Sequence, residues 1–63
     1  MENKTNKIVV SFETENDAFQ GERFVQEVEL VLAQALKRIK ESKGGKLRDS
    51  YGNGVGSVRI LRG

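Results

Sequence analysis

The chain has 63 residues, with 11 lysines and arginines against 9 acidic residues and a formal net charge of +2 at pH 7. It lacks cysteine and histidine, which excludes disulfides and thiolate metal sites and argues against zinc. A chain this short is close to the lower size limit for one core without cross-links, so we expect a homo-oligomer. Without a signal peptide or an apolar run of roughly 18 residues, we expect no membrane partner and a cytoplasmic location.

Charge is distributed unevenly along the chain. Residues 1–31 carry seven acids against three bases, a net charge of −4, and residues 32–63 carry eight bases against two acids, a net charge of +6. This polarity either serves an acidic partner or complements a helix dipole and a head-to-tail contact between copies.

The first strand is predicted within a single α+β domain spanning residues 7–63. Residues 1–6 are polar, and we expect them to be disordered. From Lys7 to Glu13 the sequence alternates, with Ile8, Val10 and Phe12 on one face, which is typical of a half-buried strand.

A long amphipathic helix is predicted from Gly21 to Ser42, ending where a glycine of residues 43–45 supplies a left-handed cap. A turn near Gly21 would let Phe19 fold back over the core. Leu30 lies off the apolar stripe, either as a scattered surface leucine or as part of a second contact surface. Glu27 and Gln34 are among the polar residues predicted to point away from the core. The stripe itself comprises Phe24, Val28, Val31, Leu32, Ala35 and Ile39, with Val25 and Leu36 at its edge.

A β-hairpin is predicted around Gly52-Asn53-Gly54, because primed turns need positive φ at their central residues. A two-residue loop places Leu47 on the face of Val58 and Ile60, whereas a three-residue loop places it with Ser57 and Arg59. Burial favours the two-residue loop. Gly56, inside the last strand, indicates a bulge or a close backbone approach.

These elements predict an α+β fold of strand, long helix and β-hairpin (β-α-β-β), with a three-stranded sheet packed on one amphipathic helix. A sheet this small has an outer face and edges that are available for pairing. We therefore predict an oligomer interface at Val9, Leu30, Val55 and Leu61.

Catalysis is not predicted. Glu13, Glu15 and Asp17 lie close together in sequence, but a solvated loop does not separate the pKa values of its carboxyls as acid–base chemistry requires. Their spacing is not that of a calcium loop. We expect no enzyme activity, no metal and no cofactor.

Partner binding is predicted in the basic second half of the chain. Nucleic acid is an alternative partner, with Tyr51 as a stacking aromatic, and so is an anionic signalling nucleotide trapped between subunits. Asp49 and Asn53 either contact the partner or only stabilise the turn. The predicted contact residues are Arg48, Asp49, Tyr51, Asn53 and Arg59.

Two motifs carry a family resemblance. A T-x-N-x-A-F turn (residues 14–19) precedes the helix, and L-x-D-x-x-G-N-x-V-G (residues 47–56) forms the hairpin. The chain resembles short proteins encoded by phages and prophages over nearly its whole length. The resemblance implies a non-enzymatic accessory protein that inhibits a host component, such as a CRISPR effector or another defence protein, by covering its surface in the host cytoplasm.

Overall fold

A computed structural model describes residues 5–62 and confirms the predicted α+β fold with β-α-β-β order. Its elements are β1 (Thr5–Phe12), α1 (Phe24–Lys40), β2 (Gly45–Arg48) and β3 (Gly54–Arg62), with short 3-10 turns at Asp17–Phe19 and Gly21–Arg23. The prediction of disorder over residues 1–6 falls mainly on residues 1–4, which lie outside the described residues. Its last two residues, Thr5 and Asn6, belong to β1.

The sheet has the strand order β1-β3-β2. Both outer strands are antiparallel to β3, so β1 and β2 are parallel to each other and α1 connects the two edges. Val58 of β3 lies opposite both Val10 of β1 and Gly45 of β2. Because opposite residues share a face, Val10 and Val58 point to the same side, toward α1.

The hairpin loop is longer than predicted. Asp49 donates its N–H to the Asn53 carbonyl (2.9 Å), and Gly52 donates its N–H to the Asp49 carbonyl (3.0 Å). These bonds close a three-residue loop, Ser50 to Gly52, with Gly52 at φ +87° in the left-handed region. The predicted two-residue loop is therefore wrong.

A bulge in β3 then restores the predicted register. Leu47 lies opposite Gly56 while Arg48 lies opposite Gly54, which leaves Val55 as the extra residue of β3. Leu47 therefore shares the face of Val58, as predicted, despite the longer loop. Val55 is only 8% exposed and belongs to the core. Its predicted place on the outer face of the sheet is wrong, because the bulge turns it inward.

The ends of α1 differ from the prediction. The α-helix begins at Phe24, after the 3-10 turn Gly21–Arg23, and ends at Lys40. The left-handed residue that follows it is Ser42 (φ +59°), and Lys43 donates its N–H to the Arg38 carbonyl (2.9 Å). A serine, not one of the predicted glycines, therefore occupies the left-handed position of the C-terminal cap.

The helix is also rotated relative to the predicted apolar stripe. Glu27, Val31 and Ala35 are its buried residues, and Leu32 and Leu36 are 47% and 52% exposed. At 100° per residue, the buried face is centred about 60° from the centre of the predicted stripe. The orientation predicted for Glu27, away from the core, is therefore wrong.

The core lies between α1 and the hairpin half of the sheet. Phe19 is buried, as predicted, with ring centroids 6.3 Å from Phe12 and 6.5 Å from Phe24. Among the strands, the helix packs mainly on β2 and β3, and the 3-10 turn Asp17–Phe19 also packs against it. The buried apolar residues are Ala18, Phe19, Val31, Ala35, Leu47, Val55 and Val58.

Candidate binding surface at the hairpin tip

Asp49 organises the hairpin loop from inside. Its Oδ1 accepts hydrogen bonds from the backbone N–H groups of Tyr51 and Asn53, both at 2.9 Å. Its Oδ2 accepts from the side-chain amides of Asn16 (2.9 Å) and Asn53 (3.4 Å). Asp49 is 4% exposed, so we place it inside the loop rather than on a contact surface. The amide of Asn53 is likewise committed to this network.

The charge of Asp49 depends on these donors. Burial by itself raises the pKa of the Asp49 carboxyl, because it disfavours the charged form. The hydrogen bonds from Asn16, Asn53 and Tyr51 favour the carboxylate and outweigh burial, so the pKa lies below its ordinary value of 3.8. The loop is therefore assembled around an ionised carboxylate at neutral pH.

Two polar side chains of α1 attach the helix to the hairpin. The buried Glu27 carboxylate accepts a hydrogen bond from the backbone N–H of Ser50. Gln34 donates its side-chain amide to the Arg48 carbonyl (2.6 Å) and accepts the Arg48 N–H (3.1 Å). Gln34 thus pairs with the outer edge of β2 as a neighbouring strand would. Sequence reasoning missed both roles, because the partners lie 14 to 23 residues away.

The tip exposes every residue from 48 to 54 except Asp49, and its two largest exposed side chains are Tyr51 and Arg48. The Tyr51 side chain is 57% exposed. The Arg48 guanidinium donates a hydrogen bond to the carbonyl of Gly52, the residue that follows Tyr51 in the loop (3.2 Å). Arg59 is exposed on the outer face of β3, five residues beyond Gly54 and roughly 17 Å further along the strand. The structure therefore brings Arg48 and Tyr51 together and leaves Arg59 apart.

The four predicted interface residues do not share a surface. Val9 and Leu61 are half-buried on the outer face of the sheet, at diagonal positions of the β1–β3 pair. Leu30 is 40% exposed on α1, about 100° from the centre of the buried face. Val55 lies in the core.

A different apolar surface is open between α1 and β1. Ile8 and Val10 point to the helix side of the sheet yet are 43% and 37% exposed, because α1 lies over β2 and β3. Gln34, on one flank of α1, bonds to β2. The opposite flank therefore lies on the β1 side. It carries the exposed Leu32, about 100° from the centre of the buried face, with the exposed Val25 and Leu36 further round at about 120° and 140°. We call these five residues the open groove.

A shallow cavity of about 300 Å³ lies at the C-terminal half of α1. Two of its lining residues, Lys37 and Arg38, are cationic, and Glu41 is anionic. The volume and the two cationic side chains suit a small anionic group. The carboxylate of Glu41 partly offsets their positive charge.

The residues that carry the family resemblance have structural roles. Leu47 and Val55 are buried, Asp49 holds the loop, and Asn16 joins the first motif to the second through Asp49. A Cβ on Gly56 would overlap the Ser11 carbonyl oxygen and the Phe12 backbone. The two motifs therefore describe how the hairpin and the turn fit together, and their residues do not by themselves mark a binding site.

Comparison of the chain with protein-family models, curated proteins and solved structures gave no match. The resemblance to phage-encoded proteins therefore stays a prediction. Within residues 5–62, no helix has the length and apolar character needed to cross a membrane. The same part of the chain contains no cluster of three acidic side chains arranged to hold a metal ion.

Proposed function

We propose that this chain is a small non-catalytic binding protein of phage type, which acts in the host cytoplasm as a homo-oligomer and inhibits a host defence protein by covering part of its surface. The hairpin tip makes the contact, with Tyr51 as its aromatic anchor and Arg48 beside it.

The observation that carries this proposal is an exposed aromatic ring on a loop whose backbone is fixed by hydrogen bonds to buried carboxylates. Tyr51 is 57% exposed, while its own N–H and those of its neighbours Ser50 and Asn53 are bound by the carboxylates of Glu27 and Asp49. A loop that is already ordered loses little conformational entropy on binding. Tyrosine and arginine are also enriched among the residues that dominate binding energies. Arg48 favours an acidic surface on the partner.

Plating efficiency in bacteria tests this function. The chain is expressed in strains that each carry one defence system, CRISPR effectors among them, and a phage restricted by that system is plated. We expect the wild type to restore plating in at least one strain. Tyr51→Ala should abolish the restoration and Tyr51→Phe should retain most of it, because the ring supplies the contact area.

The matched control is Gln26→Ala, at an exposed helix position outside the hairpin, which should behave as the wild type does. Circular dichroism of each purified variant separates lost binding from lost folding. Restriction that persists in every strain despite folded protein argues against the function. Restoration that survives both Tyr51→Ala and Arg48→Glu moves the contact away from the tip.

Phosphate binding is a second candidate, favoured by the cavity beside Lys37 and Arg38. The ligand is then an anionic nucleotide or a nucleic acid. Nucleobase absorbance in natively purified protein supports a trapped nucleotide. Affinity for a DNA oligonucleotide that falls steeply with salt supports nucleic acid, because each neutralised phosphate releases counterions. If a Lys37→Glu variant leaves both the nucleobase absorbance and the DNA affinity unchanged, the cavity is not the binding site.

A further inference from the structure

The free edge of β1 is the longest unpaired strand edge of the described sheet. β1 spans eight residues, and β3 pairs with only one of its sides. Glu13 donates its N–H to the Val55 carbonyl (2.9 Å), toward β3. Because backbone groups alternate sides along an antiparallel strand, those of Ile8, Val10 and Phe12 point to the free side. These groups are available to another strand.

The sequence of β1 is complementary to itself in one antiparallel register. With Val10 opposite Val10 of a second copy, Ile8 lies opposite Phe12 and Lys7 lies opposite Glu13. An aliphatic–aromatic pair and an opposite-charge pair each stabilise neighbouring strands. Because the dimer has two-fold symmetry, the Ile8–Phe12 pair and the Lys7–Glu13 pair each occur twice. In this register the outward backbone groups of Val10 and its counterpart face each other, as ladder hydrogen bonds require.

The same register joins the open grooves of the two copies into one apolar surface. A two-fold axis midway between the two Val10 residues, perpendicular to the sheet, places both helices on the same side of a continuous six-stranded sheet. The flanks bearing Leu32 then lie on the two sides of the joined β1 strands, whose Ile8 and Val10 side chains form the floor between them. Apolar side chains that are 37% to 64% exposed in one copy then line a single surface that spans the junction.

We propose that two copies of this chain join through antiparallel pairing of their β1 strands, with the two Val10 residues opposite each other across the two-fold axis and Lys7 of each copy opposite Glu13 of the other. This assigns the oligomer contact to the free edge of β1 and the open groove. It deepens the oligomeric part of the proposed function. Because its tests use only the purified chain, its failure is distinguishable from failure in the plating assay.

Charge reversal tests the register. Light scattering at a series of concentrations measures the dimer dissociation constant. Lys7→Glu and Glu13→Lys each place like charges opposite one another twice per dimer, and we expect each to weaken the dimer at least about tenfold. The double variant restores opposite charges and should return the constant to near the wild-type value. Lys46→Glu, on the opposite edge strand, is the control and should change little.

Cysteine cross-linking tests the geometry, since the chain has no cysteine of its own. In the proposed register the two Val10 Cα atoms lie about 5.5 Å apart, within disulfide range. Val10→Cys should form a disulfide dimer under mild oxidation. Val9→Cys should not, because Val9 lies opposite Ser11 and its own counterpart is a diagonal neighbour at roughly 7–8 Å.

Three results overturn the proposal: a wild-type chain that stays monomeric at high micromolar concentration, a dimer unchanged by both single charge reversals, or cross-linking through Val9→Cys in preference to Val10→Cys. The last outcome would instead place the contact on the outer face of the sheet, with Val9 and Leu61.

Discussion

Gly56 is the residue at which the backbone leaves least room. A Cβ there would meet the Phe12 Cα at 2.5 Å and overlap the Ser11 carbonyl oxygen, and neither backbone atom can move without opening the β1–β3 pair. We expect Gly56→Ala to lower the free energy of unfolding by about 3 kcal/mol or more. A chain of this length has only about 3–9 kcal/mol in total, so this loss removes at least about a third of the stability.

Gly54→Ala is the matched control, because a Cβ at Gly54 meets nothing within 4 Å and its φ lies outside the left-handed range. It should change stability by less than about 1 kcal/mol, in the stabilising direction. Urea unfolding followed by circular dichroism measures both variants. Equal midpoints for the two would show that β1 and β3 are not so closely paired at Gly56.

Asp49 makes the stability of the loop depend on pH. Its folded-state pKa lies below the ordinary 3.8, so the unfolded chain takes up this proton first as pH falls. The stabilisation is therefore complete at neutral pH and is lost below about pH 4, as pH passes through the lower folded-state pKa. Asp49→Asn removes an acceptor and the charge. It should lower the urea midpoint at pH 7.

The informative quantity is the difference in unfolding free energy between the wild type and Asp49→Asn, measured from pH 7 to pH 2. We expect this difference to shrink as the wild-type carboxylate is protonated. A difference independent of pH over that range would mean that the carboxylate's charge does not hold the loop.

At the scale of elements, the hairpin shows that a strand register can be predicted correctly even when the predicted loop length is wrong. The need to bury Leu47 with Val58 correctly selects the face. The alternation of side chains constrains the face and leaves the loop length open. Here one additional loop residue and one bulged residue, Val55, compensate for each other. Asp49 favours the longer loop through its side-chain bonds, which depend partly on Asn16, 33 residues away.

The helix shows the opposite case. Its amphipathic pattern is identified correctly, but the face that it turns toward the sheet is not. Periodicity locates the apolar residues of α1, but Glu27 and Gln34 turn toward the hairpin to bond Ser50 and Arg48. Backbone groups left without partners near the core are costly, so these bonds influence which flank faces the sheet. The rotation exposes Leu32 and Leu36.

Gln34→Ala tests the attachment of α1 to β2. It removes two hydrogen bonds to the Arg48 backbone, and we expect a loss of about 1–2 kcal/mol in the free energy of unfolding. Gln26→Ala makes the same substitution at an exposed position of the same helix and should be neutral within about 0.5 kcal/mol. Equal urea midpoints for the two variants would show that the Gln34 bonds contribute nothing to stability.

At the scale of the whole molecule, element types and order are predictable because each has a strong local pattern. The position of the helix over β2 and β3 is not, since it follows from contacts between distant residues. The sequence therefore predicts an exposed apolar surface but places it on the outer face of the sheet. The structure puts its larger part, the open groove, on the helix side. The predicted contact residues show the same difference between local and distant information. Tyr51 and Arg48 lie together in the hairpin tip, whereas the strand rise places Arg59 roughly 17 Å further along β3.

The two flanks of α1 provide a last prediction about the whole molecule. Leu32 faces the open groove and Leu30 lies on the other side of the helix, yet their exposed fractions are similar, 47% and 40%. If copies join through β1, folding is coupled to association and the thermal midpoint rises with protein concentration. Leu32→Lys places a charge in the junction and should remove most of that rise, whereas Leu30→Lys should leave it intact. Thermal unfolding at concentrations spanning a hundredfold measures both. The reverse pattern would place the contact on the Leu30 flank, and a midpoint independent of concentration in the wild type would mean that one copy folds alone.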